Sequence, residues 1–266
     1  MRTLTANLRL FWQGMVLSYI ALFHWLRPTT YLASKIVGPL AQLLFFTGIG
    51  TFATGANTAS FYIIGNAMQI AAVSGIYGVT MSIGGERWAG TLPYLFGTPA
   101  NRLTVFVGRA FMHVIDGALG VVIGFAWGVL LLHLDLSHTD LPALGLTIVI
   151  TTFSTSGLGL LMGCLSLITL NVMFINNAVY FALLLFSGAN VPVASLPPLM
   201  QVISEVLPLT HGIRAARLLV GGADLAQVAP LLQTEFLIGV AYVLLGYVMF
   251  RWFELQAKKR GTLETV

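Results

Sequence analysis

The sequence predicts an all-α membrane protein with six transmembrane helices. Composition is the first observation behind this prediction, because 57% of the residues are hydrophobic and only 8% are charged, with a mean hydropathy of +0.89. A soluble domain carries about 25% charged residues, so these few charges would not cover the outside of a soluble fold. Six apolar stretches of roughly 18 residues or more, enough to cross a bilayer, are the second observation. They lie near residues 36–53, 60–83, 103–132, 141–167, 172–188 and 236–253.

Residues 1–35, which precede the first span, are predicted to form an amphipathic helix in the inner interface of the membrane. From about residue 5 to 26 this stretch is apolar on one side and carries Arg9 and Gln13 among aromatic residues, and Pro28 ends it. A seventh crossing is the alternative. Residues 36–255 then form one transmembrane domain, and residues 256–266 form a tail.

Basic residues predict which loops face the cytoplasm. The loop after the second span contains Arg87 and Arg102, whereas the loop at 133–140 contains acids and no Lys or Arg. The two terminal stretches are also basic through Arg2, Arg9, Arg27, Lys35, Lys258, Lys259 and Arg260. We therefore expect a multi-pass protein of the plasma (cytoplasmic) membrane with both termini in the cytoplasm.

Segment 189–234, which precedes the sixth span and is called the outer segment below, is too long for an ordinary loop. Prolines interrupt it at Pro192, Pro197, Pro198 and Pro208. Irregular backbone is tolerated at membrane depth only where protein or water satisfies it. We therefore predict a folded outer cap or a re-entrant helical hairpin.

The sequence contains none of the motifs that would make this chain an enzyme. Its only lysines are Lys35, Lys258 and Lys259, and none follows a phosphate-binding glycine loop. No His-Glu-x-x-His and no Gly-x-Ser-x-Gly occurs either. The His and Asp side chains of loop 133–140 could ligate a metal, but a solvated outer loop is the simpler interpretation. We expect no catalytic residue, metal or cofactor in this chain.

Asp116 is the one acid well inside a predicted span, where burial of a charge is costly. Arg109, His113 and Asp116 follow the spacing i, i+4, i+7, which places them on one helical face. We predict an intramembrane charge network in which Asp116 is neutralised by His113 or by a basic group on another helix. A proton or ion relay and a contact with substrate are the alternatives.

Small residues continue along the same span at four-residue spacing, at Gly120, Gly124 and Gly128. This rhythm lets two helix backbones approach closely in lipid. The partner helix is either internal or from a second copy.

Amide and tyrosine side chains on the second and fifth spans are predicted to point inward, because amides facing lipid would be costly. They either join helix to helix or line a substrate cavity. The residues are Asn66, Gln69, Tyr77, Asn176, Asn177 and Tyr180.

Two ordered blocks of short motifs resemble the permeases of type-2 ATP-binding-cassette (ABC-2) exporters, which include drug, antibiotic, polysaccharide and G-subfamily lipid exporters. The first block reads GERWAGTLPYLFGTP over residues 85–99 and continues to Arg102 and Gly108-Arg109. In that family an acid-basic pair, Gly-Thr-Leu, Thr-Pro and Gly-Arg follow the second span in this order.

The second block lies where the family has its outer re-entrant hairpin. The matching positions are Phe-Ser-Gly at 186–188, Pro192, Leu196, Pro197, Pro-Leu-Thr at 208–210 and Arg214. The resemblance covers nearly the whole chain. It implies an outer gate at Pro192, Leu196 and Pro197.

The resemblance also implies that segment 84–102 holds a short coupling helix, from about residue 86 to 96, seated on a separate ATPase subunit. The residues implied are Glu86, Arg87, Gly90, Thr91, Leu92 and Arg109. The family commonly has Glu after Gly-Thr-Leu, where this chain has Pro93, so one possible charged contact with the ATPase is missing.

The partners implied are two copies of an ABC ATPase subunit, which bind ATP and Mg, and a second permease copy in a homodimer. The dispersed basic residues argue against nucleic acid. A charge-poor interior favours efflux of a hydrophobic or amphipathic small molecule, such as a drug, an antibiotic or a lipid. A polysaccharide or glycolipid exporter and an ion-coupled secondary transporter are the alternatives.

Overall fold

The computed structural model describes residues 2–25, 27–88, 90, 102–166 and 171–260. This part of the chain is almost entirely helical and contains no strand. Its α-helices are α1 (Arg2–Trp25), α2 (Pro28–Thr54), α3 (Ala59–Ala72), α4 (Val79–Trp88), α5 (Arg102–Leu132), α6 (Leu141–Ser166), α7 (Val172–Phe186), α8 (Pro198–Val206), α9 (Thr210–Val220) and α10 (Leu225–Arg260). A π-helix at Val73–Gly78 joins α3 to α4, and short 3₁₀ turns lie at Ala56–Thr58 and Val193–Ser195.

Five helical segments of the described chain are long and apolar enough to cross a membrane. They are Thr29–Thr54, Ala56–Gly85, Thr104–Leu132, Leu141–Ser166 and Leu225–Phe253. They correspond to the predicted first, second, third, fourth and sixth spans. The second span is therefore built from α3, the π-helix and α4.

The predicted fifth span is α7, which has only 15 residues. At about 1.5 Å per residue it extends about 22 Å, less than the roughly 30 Å of a hydrocarbon core. Its end is defined by Gly188, whose φ of +83° is a left-handed conformation that ends helices. Hydropathy correctly identifies an apolar segment here, but it does not predict where the helix within that segment ends.

The first two helices meet at Pro28, which takes the first position of α2. The second helix thus begins before residue 36, where the sequence predicts the first span to start. Lys35 therefore lies inside a helix. The preceding helix α1 packs against the beginning of α5, since a Cβ on Gly108 would lie 2.4 Å from the Phe11 carbonyl oxygen.

Helix α6 is central to the bundle and packs against α10, α4, α5 and the π-helix. Glycines permit this, because a Cβ on Gly157 would lie 2.7 Å from the Gly239 carbonyl oxygen. Its threonine side chains turn back to their own helix, as when Thr151 donates to the Thr147 carbonyl at 2.7 Å. The polar content of α6 is therefore compatible with burial.

The glycine face of α5 packs against α3 of the same chain. A Cβ on Gly124 would lie 2.5 Å from Ile70 Cδ1, and one on Gly128 would lie 2.8 Å from Ile63 Cγ2. Of the two partners that the spacing allows, the structure shows the internal one, which is the second span.

The outer segment is folded and packs on the bundle. Its helix α9 is largely buried and contacts α3, α6 and α10, while α8 contacts α7 and α9. The structure thus shows a folded helical segment in place of an ordinary loop, and the turn at Leu209, with φ +83°, introduces α9.

Candidate functional site

The loop predicted to contact an ATPase begins where the second span ends. Helix α4 ends at Trp88, and Gly90 is exposed with a φ of +66°. The side chains of Glu86 and Arg87, and the whole of Thr91 and Leu92, lie outside the described residues. Their roles in coupling stay predictions.

Arg109 lies at the base of this loop. Its guanidinium Nη1 donates to the Ser82 carbonyl oxygen at 2.8 Å. The beginning of the third span is thereby fastened to the last turns of the second span. Arg109 is thus placed to keep the two ends of the loop together.

Asp116 is neutralised by a basic group on another helix, which is one of the two partners that the sequence allows. The Lys35 Nζ of α2 lies 2.5 Å from Asp116 Oδ2, and Ser74 Oγ donates to the same oxygen at 2.5 Å. Tyr31 donates to the other carboxylate oxygen. Three side chains from two other helical segments therefore surround one buried carboxylate.

His113 is 5% exposed and packs against the end of the π-helix, where a Cβ on Gly78 would lie 2.3 Å from its Nδ1. It lies one turn before Asp116 on α5, and Lys35, not His113, forms the ion pair with that carboxylate. Tyr31, Lys35 and Ser74 were not predicted from the sequence as partners of Asp116. One signal pointed to Lys35, since it is the only lysine outside the C-terminal tail.

Two of the predicted cavity residues pair with the turn that follows α7. Asn66 and Gln69 have no exposed surface. Asn66 Nδ2 donates to Asn190 Oδ1 at 2.8 Å, and Ser187 Oγ donates to Gln69 Oε1 at 3.4 Å. These amides join the second span to the beginning of the outer segment.

The remaining cavity residues form a second group between α7 and the second span. Tyr77 donates to Asn177 Oδ1 at 2.7 Å, and its ring lies 5.7 Å from that of Tyr180. Tyr180 also contacts Gln42 of α2, a residue that was not predicted to belong to this group. Asn176 is fully buried, and neither atom of its amide has a hydrogen-bond partner among the described residues.

The predicted gate residues lie in the turn between α7 and α8. Leu196 is buried, and its carbonyl accepts a hydrogen bond from Gln201 Nε2 at 2.8 Å. Pro192 and Pro197 flank the 3₁₀ turn and introduce α8. Their geometry defines a rigid corner, and its role as a gate stays a prediction.

Arg217 of α9, which was not predicted to belong to the site, joins this corner to the second span. It lies 3.6 Å from the Phe61 ring centroid and donates to the carbonyl oxygens of Phe61 and Ala189 at 2.9 and 3.2 Å. The outer end of the site is therefore held by a cation on the outer segment.

The acids of loop 133–140 have local structural partners. Asp135 Oδ1 accepts the Ser137 N–H at 2.8 Å, and the hydrogen bonds from Ser137 lower the pKa of Asp135. Asp140 caps α6 by accepting the Ala143 N–H at 3.0 Å. Among the described residues, no three His, Cys, Asp or Glu side chains are grouped as metal ligands would be.

The pattern of the ABC-2 type transporter family matches residues 13–220. This range runs from α1 to the end of α9 and includes the loop, the charge cluster and the amide groups. The chain belongs to the ABC-2 type transporter family. With several apolar helices, this ABC-2 permease is a multi-pass membrane protein. Members of the family normally pair with an ATPase subunit.

Two curated relatives are similar to this ABC-2 permease. They are the inner membrane transport permease YhhJ of Escherichia coli (strain K12) and the protein of the same name from Shigella flexneri. Each is 24% identical over 173 residues, which cover 62% of this chain and 45% of the relative. The chain therefore spans about half the length of the curated relatives that it matches.

Proposed function

We propose that this ABC-2 permease is the membrane-spanning subunit of an ATP-driven exporter that moves a hydrophobic or amphipathic small molecule across the plasma membrane. The observation that carries the proposal is the continuity of the second span. Its outer half carries Asn66 and Gln69, and its other end leads into the loop at 84–102. A single helical element thus joins the polar interior to the segment that the family resemblance assigns to the ATPase.

The energy for export would come from a separate ATPase subunit, because this sequence has no phosphate-binding glycine loop of its own. In this proposal two ATPase copies bind ATP and Mg and contact the loops of two identical permeases, each with its termini in the cytoplasm. Closure of the ATPases moves the coupling helices as rigid bodies, and the cavity alternates between inward-open and outward-open.

The chemistry of the interior supports a mainly apolar cargo. Helix α7 presents Phe174 and Phe181 with exposed fractions of 76% and 65%, beside the Tyr77 and Asn177 pair. In the proposed homodimer this face lines the cavity, with tyrosine hydroxyls and amides as the polar groups.

Ion coupling has less support. A transported ion or proton needs an acid with free coordination sites, whereas the Asp116 carboxylate already accepts hydrogen bonds from Tyr31, Lys35 and Ser74. We therefore place Asp116 in the structural framework of the exporter.

The test is purification of the permease in mild detergent, followed by identification of bound proteins and an ATPase assay in liposomes. We expect wild type to retain an ABC ATPase and stimulate its ATP hydrolysis, and the Glu86→Ala/Arg87→Ala variant to lose most of this stimulation. The matched control is Asp135→Ala/His138→Ala in the loop between α5 and α6, which should behave as wild type. Unchanged stimulation in the Glu86/Arg87 variant, or no retained ATPase, would contradict the proposal.

A further inference from the structure

The second span contains a π-helix at Val73–Gly78, between two α-helical halves. A π-helical turn holds one residue more than the surrounding α-helix would, and its hydrogen bonds run from i to i+5. Such turns are rare because the α-helical conformation of the same residues is locally more stable. The surroundings of this turn must therefore stabilise it.

One end of the π-helix is attached to two other spans through Ser74. Its hydroxyl accepts a hydrogen bond from Lys35 Nζ at 3.0 Å and donates one to Asp116 Oδ2 at 2.5 Å. The ion pair between Lys35 and Asp116 closes the triangle at 2.5 Å. Side chains of α2 and α5 thus meet on a single hydroxyl of the second span.

The rest of the π-helix is held by two close contacts, one from a side chain of α5 and one from the backbone of α6. His113, one turn before Asp116 on α5, packs against Gly78 at the end of the π-helix. On the opposite side, a Cβ on Gly159 of α6 would lie 1.8 Å from the Gly75 carbonyl oxygen. The glycine at position 159 leaves room for the widened turn, and α5 contacts both of its ends.

Stability alone does not explain a buried ion pair at this place. Removing two charges from water costs about as much as their attraction returns, and apolar pairs of similar volume are often equally stable. Buried ionic groups are best documented as devices that specify register. Here the ion pair has one hydrogen-bond partner on the second span, Ser74, which lies within the π-helix.

We propose that Lys35 and Asp116 are positioning residues that hold the second span in its π-helical register. Conversion of Val73–Gly78 to α-helix changes the register by one residue, which rotates α4 by about 100° and shifts it by about 1.5 Å relative to α3. Because α4 leads into the loop at 84–102, the pair sets the orientation of that loop. Only this last step, from α4 to the ATPase, rests on the proposed function.

The register is tested by placing single cysteines at positions 79–85 in a Cys164→Ser background and measuring their reactivity with maleimide. Wild type should protect positions 79 and 83, which are buried, and expose the half-buried positions 81 and 82 more strongly. In Ser74→Ala and in Lys35→Met/Asp116→Leu, we expect the protected positions to move by one residue. Deletion of Val73 removes the extra residue of the π-helix, so it should turn this segment into continuous α-helix and keep the wild-type pattern of protected residues.

Lys35→Arg is the matched control, since it keeps a cation and should keep the wild-type pattern. A wild-type pattern in both Ser74→Ala and Lys35→Met/Asp116→Leu would overturn the proposal. If the double variant fails to fold, Ser74→Ala decides, because it removes only one hydroxyl.

ATPase stimulation separates this inference from the proposed function. Variants with a shifted pattern should still bind the ATPase but stimulate it about tenfold less. A shifted pattern with full ATPase stimulation would support the role of the ion pair in setting the register. It would refute the link between that register and the loop at 84–102. Absence of any ATPase partner for wild type would refute the proposed function and leave the cysteine pattern as evidence on the register.

Discussion

Glu235 of α10 shows how one side chain attaches the outer segment to the bundle. Its carboxylate has no exposed surface and accepts backbone N–H groups from Leu209, His211 and Gly212 at 2.7, 3.2 and 3.1 Å. The first N–H groups of a helix have no partner within it, and a negative charge there is favoured by the helix dipole. Glu235 therefore caps α9 from another helix.

We expect Glu235→Leu to lower the free energy of unfolding by about 3–9 kcal/mol, because three buried N–H groups lose their acceptor at about 1–3 kcal/mol each. Glu235→Gln should lose less, since one acceptor oxygen stays. Thermal unfolding in detergent measures both. Gln233→Leu, on the exposed side of the same helix, is the control, and equal stability of the two leucine variants would contradict this role.

At the scale of elements, the contact between α6 and the second span decides the shape of the bundle. The Gly75 carbonyl approaches Gly159 so closely that no side chain fits between the two backbones. In lipid, close backbone contact of this kind is a main source of helix association. The two helices are therefore held together mainly by the close packing of their complementary surfaces.

Gly159→Ala should destabilise the protein by about 1–3 kcal/mol or more, because the added methyl group meets backbone and must separate the helices. Gly145→Ala on the same helix is the matched control, since its Cβ would have no neighbour within 4 Å. Unfolding temperature and the monodisperse fraction after purification report the difference. Equal behaviour of the two alanine variants would show that the helices are further apart than described.

At the scale of the whole molecule, the arrangement of spans determines which loops can reach an ATPase. An odd number of crossings separates the loop after α4 from the loop before α6, because only α5 lies between them. Their opposite placement follows from the connectivity, and the basic residues near the first loop predict that this loop faces the cytoplasm.

We expect a cysteine at position 138 to react with an impermeant maleimide in intact cells, and a cysteine at position 85 to react only after permeabilisation. The first site is exposed, and the second has open space for a side chain. The background is Cys164→Ser, and the native cysteine is itself only 4% exposed. Labelling of position 85 from outside would invert the topology and remove the basis of the proposed coupling.

The prediction of the fold from sequence succeeded where the signal is local. An apolar stretch long enough to cross a bilayer is evident from its own residues, and the described helices follow those stretches. Motif order likewise led to the family. Two local boundaries differed, at the beginning of α2 and in the length of α7, because proline and glycine conformations define helix ends more sharply than hydropathy does.

Sequence alone determined that this protein lies in a membrane, that it is helical, and that Asp116 needs a partner. Only the tertiary structure decided that the partner is Lys35, that Ser74 joins them, and that Glu235 caps α9. The physical reason is the distance along the chain over which each interaction acts. Hydropathy and helix formation depend on neighbours within a few turns, whereas a buried charge is neutralised by whichever distant side chain the packing of helices brings within hydrogen-bonding distance.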